Sequence, residues 1–222
     1  MIKPPGIIDN TIELPGRCYA IRMMPHEVDI ADIHDKWDQA YADAMKLIVD
    51  GNVDEGKEIL EELYRRKYNR AGHTLSYGYG AGWFGEPDPK KYLSLVYALV
   101  LKGDSAAFSD YGFCYDCGIG VKKSMRWALY WYRKAADYDE EEAQNILGLC
   151  YEEGLGVLKD YEKAYYWFQL AVKNGAGACA EHNLARCFRL GRGISEDKEM
   201  ANKYEALAVK HGFHKKDKGT VI

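Results

Sequence analysis

Cysteine and histidine are the residue types with which this sequence could bind a metal or form cross-links. Cys114-x-x-Cys117 has the spacing of half a zinc site, and Cys179 and His182 lie three residues apart, which on a helix places two ligands on one face. Neither pair has a second Cys/His pair close by in the sequence. The sequence therefore predicts no bound metal and no cofactor, and we expect the thiols to be reduced.

Serine, histidine and glycine patterns give no indication of a catalytic centre. The serines occur in neither a nucleophile-elbow pattern nor a Ser-x-x-Lys pattern, and the six histidines are scattered along the chain. The Gly-x-Gly pairs lack a following Gly-Lys-Ser/Thr and a preceding strand, so they indicate turns rather than phosphate-binding loops. We therefore expect a protein that is not an enzyme and has no catalytic residues.

The glycines and cysteines belong instead to an internal repeat. Twelve positions of the segment that begins at Ala143 recur 36 residues earlier from Ala107 and 37 residues later from Ala180. A degenerate copy begins at Ala71. Three of the cysteines share one repeat position, where a small apolar residue fits between packed helices; these are Cys114, Cys150 and Cys187. Equivalent atoms of stacked repeats lie roughly 10 Å apart, which exceeds the reach of a disulfide.

Each copy of the repeat predicts two helices joined by a glycine turn. Gly154 lies where the first helix should end, because a left-handed C-terminal residue is usually glycine, and Asp160 lies where an N-cap should begin the second helix. The buried stripes are predicted to be Ala143, Leu147 and Tyr151 on the first helix, and Ala164, Trp167 with Phe168, and Ala171 on the second. Small alanines alternating with aromatics should let adjacent helices interlock.

These positions carry a resemblance to a known family. The string Leu-Gly-x-Cys-Tyr-x-x-Gly-x-Gly-Val-x-x-Asp-x-x-x-Ala-x-x-Trp at 147–167 resembles the Sel1-like repeat, a relative of the tetratricopeptide repeat. In the degenerate copy Ser76 replaces the first glycine, Leu95 replaces the tryptophan, and the Gly-x-Gly-Val turn is shifted. The resemblance implies an all-α fold, an α-α superhelical solenoid of Sel1-like and tetratricopeptide-like helical hairpins.

The repeat sets the predicted domain boundaries. Residues 31–70 predict a tetratricopeptide-like hairpin that caps the array, and residues 71–212 predict four Sel1-like repeats, of which the first is degenerate. Residues 1–30 contain prolines that forbid a long helix and several apolar side chains, so we expect an extended segment that packs on the solenoid. Residues 213–222 predict a disordered polar tail.

Composition narrows the range of partners and compartments. The net charge of −4 argues against a nucleic-acid partner, and no stretch approaches the ~20 apolar residues that a membrane span needs. The sequence begins without the continuous apolar region of a signal peptide. We therefore expect a cytoplasmic protein, and the resemblance to small Sel1-like proteins implies a bacterial one.

The variable positions of the first helices are the predicted binding site, because a solenoid binds ligands along the face that these helices line. The candidate residues form two columns, which are Thr74, Asp110, Ile146 and Asn183, and Phe108, Gln144 and Glu181. The predicted function is that of an adaptor or scaffold that holds a partner protein or peptide in this groove. Two alternatives remain open: an inhibitor or immunity-type protein of a bacterial effector, and a hydrolase of the β-lactam-interacting Sel1-like kind.

Overall fold

The computed structural model describes residues 36–213, and this part of the chain is all-α, as predicted. It contains ten helices and no strand: α1 Lys36–Val49, α2 Val53–Arg65, α3 Asn69–Ala81, α4 Pro89–Leu101, α5 Ser105–Cys117, α6 Met125–Ala136, α7 Glu141–Glu153, α8 Tyr161–Lys173, α9 Ala178–Leu190 and α10 Lys198–Lys210. None of these ten helices is long and apolar enough to cross a membrane. The predicted extended segment at 1–30 and nearly all of the predicted tail at 213–222 lie outside the described residues.

The helices divide into two compact units, which meet in sequence between Ala128 and Leu129 of α6. In the first unit α1 packs on α2, α2 on α3, α3 on α4 and α4 on α5. In the second unit α7 packs on α8, α8 on α9 and α9 on α10. Consecutive helices that pair as hairpins and then stack define the α-α solenoid class. Helices α1 and α2 occupy the region of the predicted capping hairpin, and its role as a cap stays a prediction.

The turn inside each of the four hairpins that the repeat predicts is closed by the same two features. The first helix ends on a glycine in the left-handed conformation, with φ between 61° and 79°. The second feature is a backbone hydrogen bond across the turn. The residue immediately before the second helix donates its N–H to the carbonyl of an aromatic residue of the first helix. The donor–acceptor pairs are Asp88–Tyr79, Ser124–Tyr115, Asp160–Tyr151 and Asp197–Phe188, at 2.8–2.9 Å. The degenerate first copy therefore closes its turn like the others, although its glycines are shifted.

Alanines form the buried stripes of the hairpins, as the repeat predicts. Those at the predicted stripe positions of the three good copies are at most 1% exposed; they are Ala107, Ala128, Ala135, Ala143, Ala164, Ala171, Ala180, Ala201 and Ala208. One detail of the prediction is wrong: Phe168 is the fully buried aromatic of α8, whereas Trp167 is only half-buried. Phe168 lies four residues after Ala164 and three before Ala171, so it continues their stripe, and Trp167 is rotated away from that stripe.

A glycine of α7 allows α8 to approach closely. A Cβ atom built on Gly148 would lie 2.5 Å from two ring atoms of Phe168, well inside van der Waals contact. Because the Phe168 ring is completely buried, it has no space into which to move. The close packing of α7 against α8 therefore requires glycine at this position.

We expect Gly148→Ala to lower the free energy of unfolding by about 2 kcal/mol, because the collision with Phe168 outweighs the ~1 kcal/mol that alanine contributes to a helix interior. Urea unfolding followed by circular dichroism measures this change. Gly177→Ala is the matched control, because a Cβ at Gly177 has no atom within 4 Å. Equal stabilities of the two variants would contradict the assigned role of Gly148.

Candidate protein-binding face

The seven candidate residues lie on the first helices of their hairpins, in the two units. Thr74, Phe108 and Asp110 belong to the first unit, and the other four belong to the second. Asp110 and Ile146 are partly exposed, whereas five candidates are buried; these five are Thr74, Phe108, Gln144, Glu181 and Asn183. Burial restricts direct contact of those five with a partner, and the assignment of all seven as partner contacts stays a prediction.

In the first unit α3 and α5 are joined by a charged group of five side chains, which we call the His73 cluster. His73 Nε2 lies 2.9 Å from Asp104 Oδ1, and His73 Nδ1 lies 3.2 Å from Asp110 Oδ2. The Tyr77 hydroxyl donates to Asp110 Oδ1 at 2.9 Å, and the Asn69 amide donates to Asp104 Oδ2 at 3.1 Å. Asp104 also caps α5, because its side chain accepts the N–H of the third residue of that helix.

The His73 cluster holds its histidine in the charged form. Burial would lower the pKa of His73, but the hydrogen bonds to Asp104 and Asp110 and the charges of these carboxylates prevail and raise the pKa to about 10. Burial likewise opposes ionisation of Asp104, yet the hydrogen bond to His73 keeps the pKa of this carboxyl below its usual value. At neutral pH both ring nitrogens of His73 carry protons that are donated to carboxylates, so this imidazole cannot act as a general base.

In the second unit α7 and α9 are joined by a buried carboxylate and two arginines, which we call the Glu152 cluster. The side chain of Glu152 is 1% exposed, and those of Arg186 and Arg192 are 21% and 33% exposed. Arg186 donates to both carboxylate oxygens of Glu152, through Nε at 3.1 Å and through Nη2, while Arg192 Nη1 donates to Oε1 at 2.8 Å. Two positive charges against one negative charge leave the Glu152 cluster with an excess of one positive charge at the surface.

A second polar link joins α7 and α9 in the same register as the link from His73 to Asp110. Asn183 Nδ2 donates to Asn145 Oδ1 at 2.9 Å. In the repeat alignment Asn145 corresponds to His73, and Asn183 corresponds to Asp110. Asn183 Oδ1 is buried and accepts no hydrogen bond, so one acceptor in this link is left unsatisfied. The polar members of one predicted column therefore connect successive first helices.

The other predicted column has a structural contact in the second unit. Gln144 Oε1 accepts a hydrogen bond from the Asn174 amide at 3.1 Å, and Glu181 lies 2.9 Å from Nδ1 of His211. Asn174 and His211 are the C-cap residues that directly follow α8 and α10. Each pair thus joins the start of a first helix to the end of the second helix of the same hairpin. Thr74, of the first column, instead links α3 to α1, because its hydroxyl lies 2.8 Å from the hydroxyl of Tyr41.

The sequence analysis missed the charged residues that hold the first helices together. It singled out Asp110 but not His73, Asp104, Glu152 or the two arginines. A signal was present for one of them: an acid follows the aromatic residue of the first helix in two successive copies, as Asp116 and Glu152, and both acids are buried. An acid that recurs at a buried repeat position indicates a partner of opposite charge nearby.

The five cysteines in the described part of the chain are free thiols. Cys114, Cys150 and Cys187 are buried between helices, in agreement with the small apolar role predicted for their shared position. Burial raises the pKa of the Cys187 thiol to about 12, and it raises that of Cys114 further. These two thiols therefore remain protonated at neutral pH and are poor nucleophiles.

Helical hairpins that stack on one another define the class of α-helical solenoid repeat proteins. Within this class the sequence profile of the Sel1 repeat matches residues 109–137, 141–175 and 180–213. The chain therefore carries three Sel1 repeats, and the resemblance of its sequence to the Sel1-like repeat is confirmed. Sel1 repeat proteins are generally non-enzymatic, protein-binding scaffolds.

Two solved structures share this fold. A Sel1 repeat protein from Oxalobacter formigenes is 24% identical over 78% of this chain and 70% of its own, with a TM-score of 0.69. The antigen c5321, a protective antigen of uropathogenic Escherichia coli strains, is 27% identical over 71% of this chain, with a TM-score of 0.63, and the chain spans only 33% of its length. The immunity protein Pa5087 from Pseudomonas aeruginosa aligns at 21% identity over 78% of this chain and 81% of its own, but with a TM-score of only 0.47. No curated protein matches the chain in sequence.

The charge of His73 predicts how stability depends on pH. Because its pKa is raised in the folded state, its contribution is fully present below the unfolded value of 6.5 and is lost as the pH rises through about 10. We expect the difference in unfolding free energy between wild type and His73→Gln to shrink by at least about 1 kcal/mol over this range.

Denaturant titrations at a series of pH values measure this difference. His182→Gln serves as the control, because burial lowers the pKa of His182 and its effect on stability should change in acid instead. A wild-type advantage over His73→Gln that stays constant from neutral pH to about pH 10 would show that His73 is not held as an imidazolium.

Removal of the charge of Glu152 should leave two arginines close together without a counter-charge. We expect Glu152→Gln to lower the unfolding free energy by about 2 kcal/mol, whereas Glu153→Gln, at the exposed neighbouring position, should change it by less than about 0.5 kcal/mol. Thermal and urea unfolding of both variants give the comparison. Equal effects would mean that the Glu152 cluster contributes no more than a surface ion pair.

Proposed function

We propose that this chain is a protein-interaction module, an adaptor or scaffold that binds a partner protein or peptide along its first helices. The observation that carries the proposal is the Glu152 cluster. A guanidinium has five N–H donors, and Glu152 accepts two from Arg186 and one from Arg192. The remaining donors are held in fixed positions by a buried acid and are partly exposed, which suits them to carboxylates or backbone carbonyls of a bound segment.

The links between first helices support the same proposal. A binding surface gains affinity when its side chains are ordered before the partner arrives, because less conformational entropy is lost on binding. The His73 cluster fixes α3 against α5, and the Glu152 cluster fixes α7 against α9. Each unit thereby offers a rigid, polar surface with a local excess of charge, negative at the two carboxylates around His73 and positive at the two arginines around Glu152.

We also propose that the protein works in a reducing compartment such as the bacterial cytoplasm. The support is the set of free thiols, of which three are buried between helices where no second cysteine is bonded to them. An inhibitor or immunity-type protein would bind its target in the same way, and the identity of the bound protein decides between an adaptor and an inhibitor.

Photo-crosslinking in the native host tests the proposed face. We expect a cross-linking amino acid placed at Ile146 of α7 to capture one protein that is not captured from Asn202, an exposed position of α10. With the purified partner, Arg192→Ala should weaken binding about 10-fold, whereas Lys198→Ala should leave it unchanged. Circular dichroism verifies that both variants remain helical.

Two results would contradict the proposal. One is the capture of the same set of proteins from both positions, which would indicate non-specific contact. The other is a partner whose affinity is unaffected by Arg192→Ala, which would place the binding surface elsewhere on the chain.

A further inference from the structure

Four aromatic side chains of the first unit form a continuous row, which we call the aromatic strip. It begins at Tyr97 on α4, passes through Tyr111 and Tyr115 on α5, and ends at Trp127 in the first turn of α6. The ring centroids of successive members are 5.5 Å, 5.2 Å and 6.2 Å apart. These distances are within the range of direct ring–ring contact, so the four rings make one surface.

Both ends of the aromatic strip face solvent. Tyr97 is 45% exposed and Trp127 is 51% exposed, although large aromatic side chains are usually buried for most of their area. Tyr111 and Tyr115, in the middle, are partly buried. Exposed rings that lie in contact with one another form a patch rather than scattered apolar residues, and such patches mark interaction sites.

The next repeat shows that the fold does not require aromatic residues at these ends. Arg133 occupies the place of Tyr97 and Lys163 occupies that of Trp127. Arg133 Nη2 lies 3.4 Å from the Tyr151 hydroxyl, and Lys163 Nζ lies 5.5 Å from the centroid of the Tyr151 ring. One repeat further on, the same places hold Gln169 and Met200. Aromatic residues at these two repeat positions are therefore particular to the strip and are not required by the repeat.

A positively charged segment adjoins one end of the aromatic strip. The segment 118–127, which joins α5 to α6, carries Lys122, Lys123 and Arg126 and has no acidic residue. All three cations are exposed. The segment is tied to the strip, because the backbone N–H of Ser124 donates to the carbonyl of Tyr115 at 2.8 Å.

The equivalent segments of the next two repeats contain acids where this one does not. Residues 154–163 include Asp160 and Glu162, and residues 191–200 include three acids, among them Asp197 and Glu199. Ser124 and Arg126 stand at the positions of the aspartates and of the two glutamates, respectively. The first turn of α6 consequently has no acid to offset the positive end of its helix dipole.

We propose that the aromatic strip binds an acidic peptide segment of a partner protein, whose apolar or proline side chains stack on the rings while its carboxylates pair with the three cations. The inference rests on the proposed function and adds a second contact surface with a defined chemical preference. Exposed aromatic rings supply contact area at low entropic cost, and the cations select the sign of the ligand's charge.

The observations favour a peptide over a nucleic acid. Single-stranded nucleic acids also stack on aromatic rings, but they need an extended groove of cations that follows the phosphate backbone. The strip has three cations at one end, and the chain as a whole carries a net charge of −4. A short acidic peptide matches this limited charge.

Selection from a library of random peptides displayed on phage tests the proposal without a known ligand. The full-length protein is the bait, and the double variant Tyr97→Gln/Trp127→Met is used to remove peptides that bind elsewhere. Both replacements are residues that the chain itself carries at the same repeat positions, so they are compatible with the fold. We expect the enriched peptides to be acidic and to contain aromatic or proline residues.

An enriched peptide is then synthesised and titrated against the variants by isothermal calorimetry. The aromatic double variant should bind it about 10-fold more weakly. The double variant Ser124→Asp/Arg126→Glu carries the residues of the following repeats and should also bind the peptide about 10-fold more weakly, because it places acids beside an acidic ligand. Its melting temperature should stay unchanged or rise, because aspartate is a strong N-cap. Tyr166→Gln removes an equally exposed tyrosine of the second unit and should leave the affinity unchanged.

Several outcomes would overturn the proposal. They are enrichment of basic or uncharged peptides, failure to enrich any peptide over the double variant, and tight binding of a single-stranded oligonucleotide that the peptide cannot displace. Self-association of the wild type that is lost in Tyr97→Gln/Trp127→Met would show that a second copy of the chain occupies the strip.

The outcome is separable from that of the proposed function. A partner cross-linked at Ile146 together with no acidic-peptide binding at the strip would overturn this inference alone. Acidic-peptide binding at the strip without capture at Ile146 would overturn the first-helix site and leave the strip as the interaction surface.

Discussion

The close approach of the two helices in each hairpin is the constraint on which the rest of this structure depends. Alanine at the stripe positions and Gly148 at the crossing of α7 and α8 let the helix backbones come together, and Phe168 fills the space that remains. An array of short hairpins has no central core, so each interface between helices must be packed by its own side chains. The left-handed glycines and the repeated turn hydrogen bond then fix where each second helix begins.

Packing of this kind leaves few positions for polar groups, and the protein places them where successive first helices meet. A buried charge is tolerated only when a partner of opposite charge and enough hydrogen bonds offset its desolvation. The His73 cluster meets this condition with two carboxylates around one imidazolium, and the Glu152 cluster meets it with two arginines around one carboxylate. The two clusters have opposite excess charge, and each of them joins two successive first helices.

The repeats differ at the surface much more than in the interior. Alanine and glycine positions are nearly the same from copy to copy because the helix spacing permits nothing larger. The places of Tyr97 and Trp127 are filled by arginine and lysine in the next repeat, where both cationic side chains lie against Tyr151. Variation of this type changes what a repeat can bind without changing how it folds, and it accounts for the use of a single scaffold for different partners.

The sequence by itself determined the helical class, the period and the turns, because these depend on local requirements: a glycine for a left-handed residue, an aspartate for an N-cap, and an alanine every few positions along a stripe. It also indicated which residues of a first helix share a side, because the helical period determines this. Only the tertiary structure decided which polar residues on that side form hydrogen bonds or ion pairs within the protein. Asp110 and Asn183 form hydrogen bonds with the preceding first helix, and Glu152 binds two arginines. These contacts join residues more than thirty positions apart, at separations that differ from the repeat length by one or more residues. A pattern within one helix carries no information about such a pairing, which exists only once the neighbouring hairpin is packed in place.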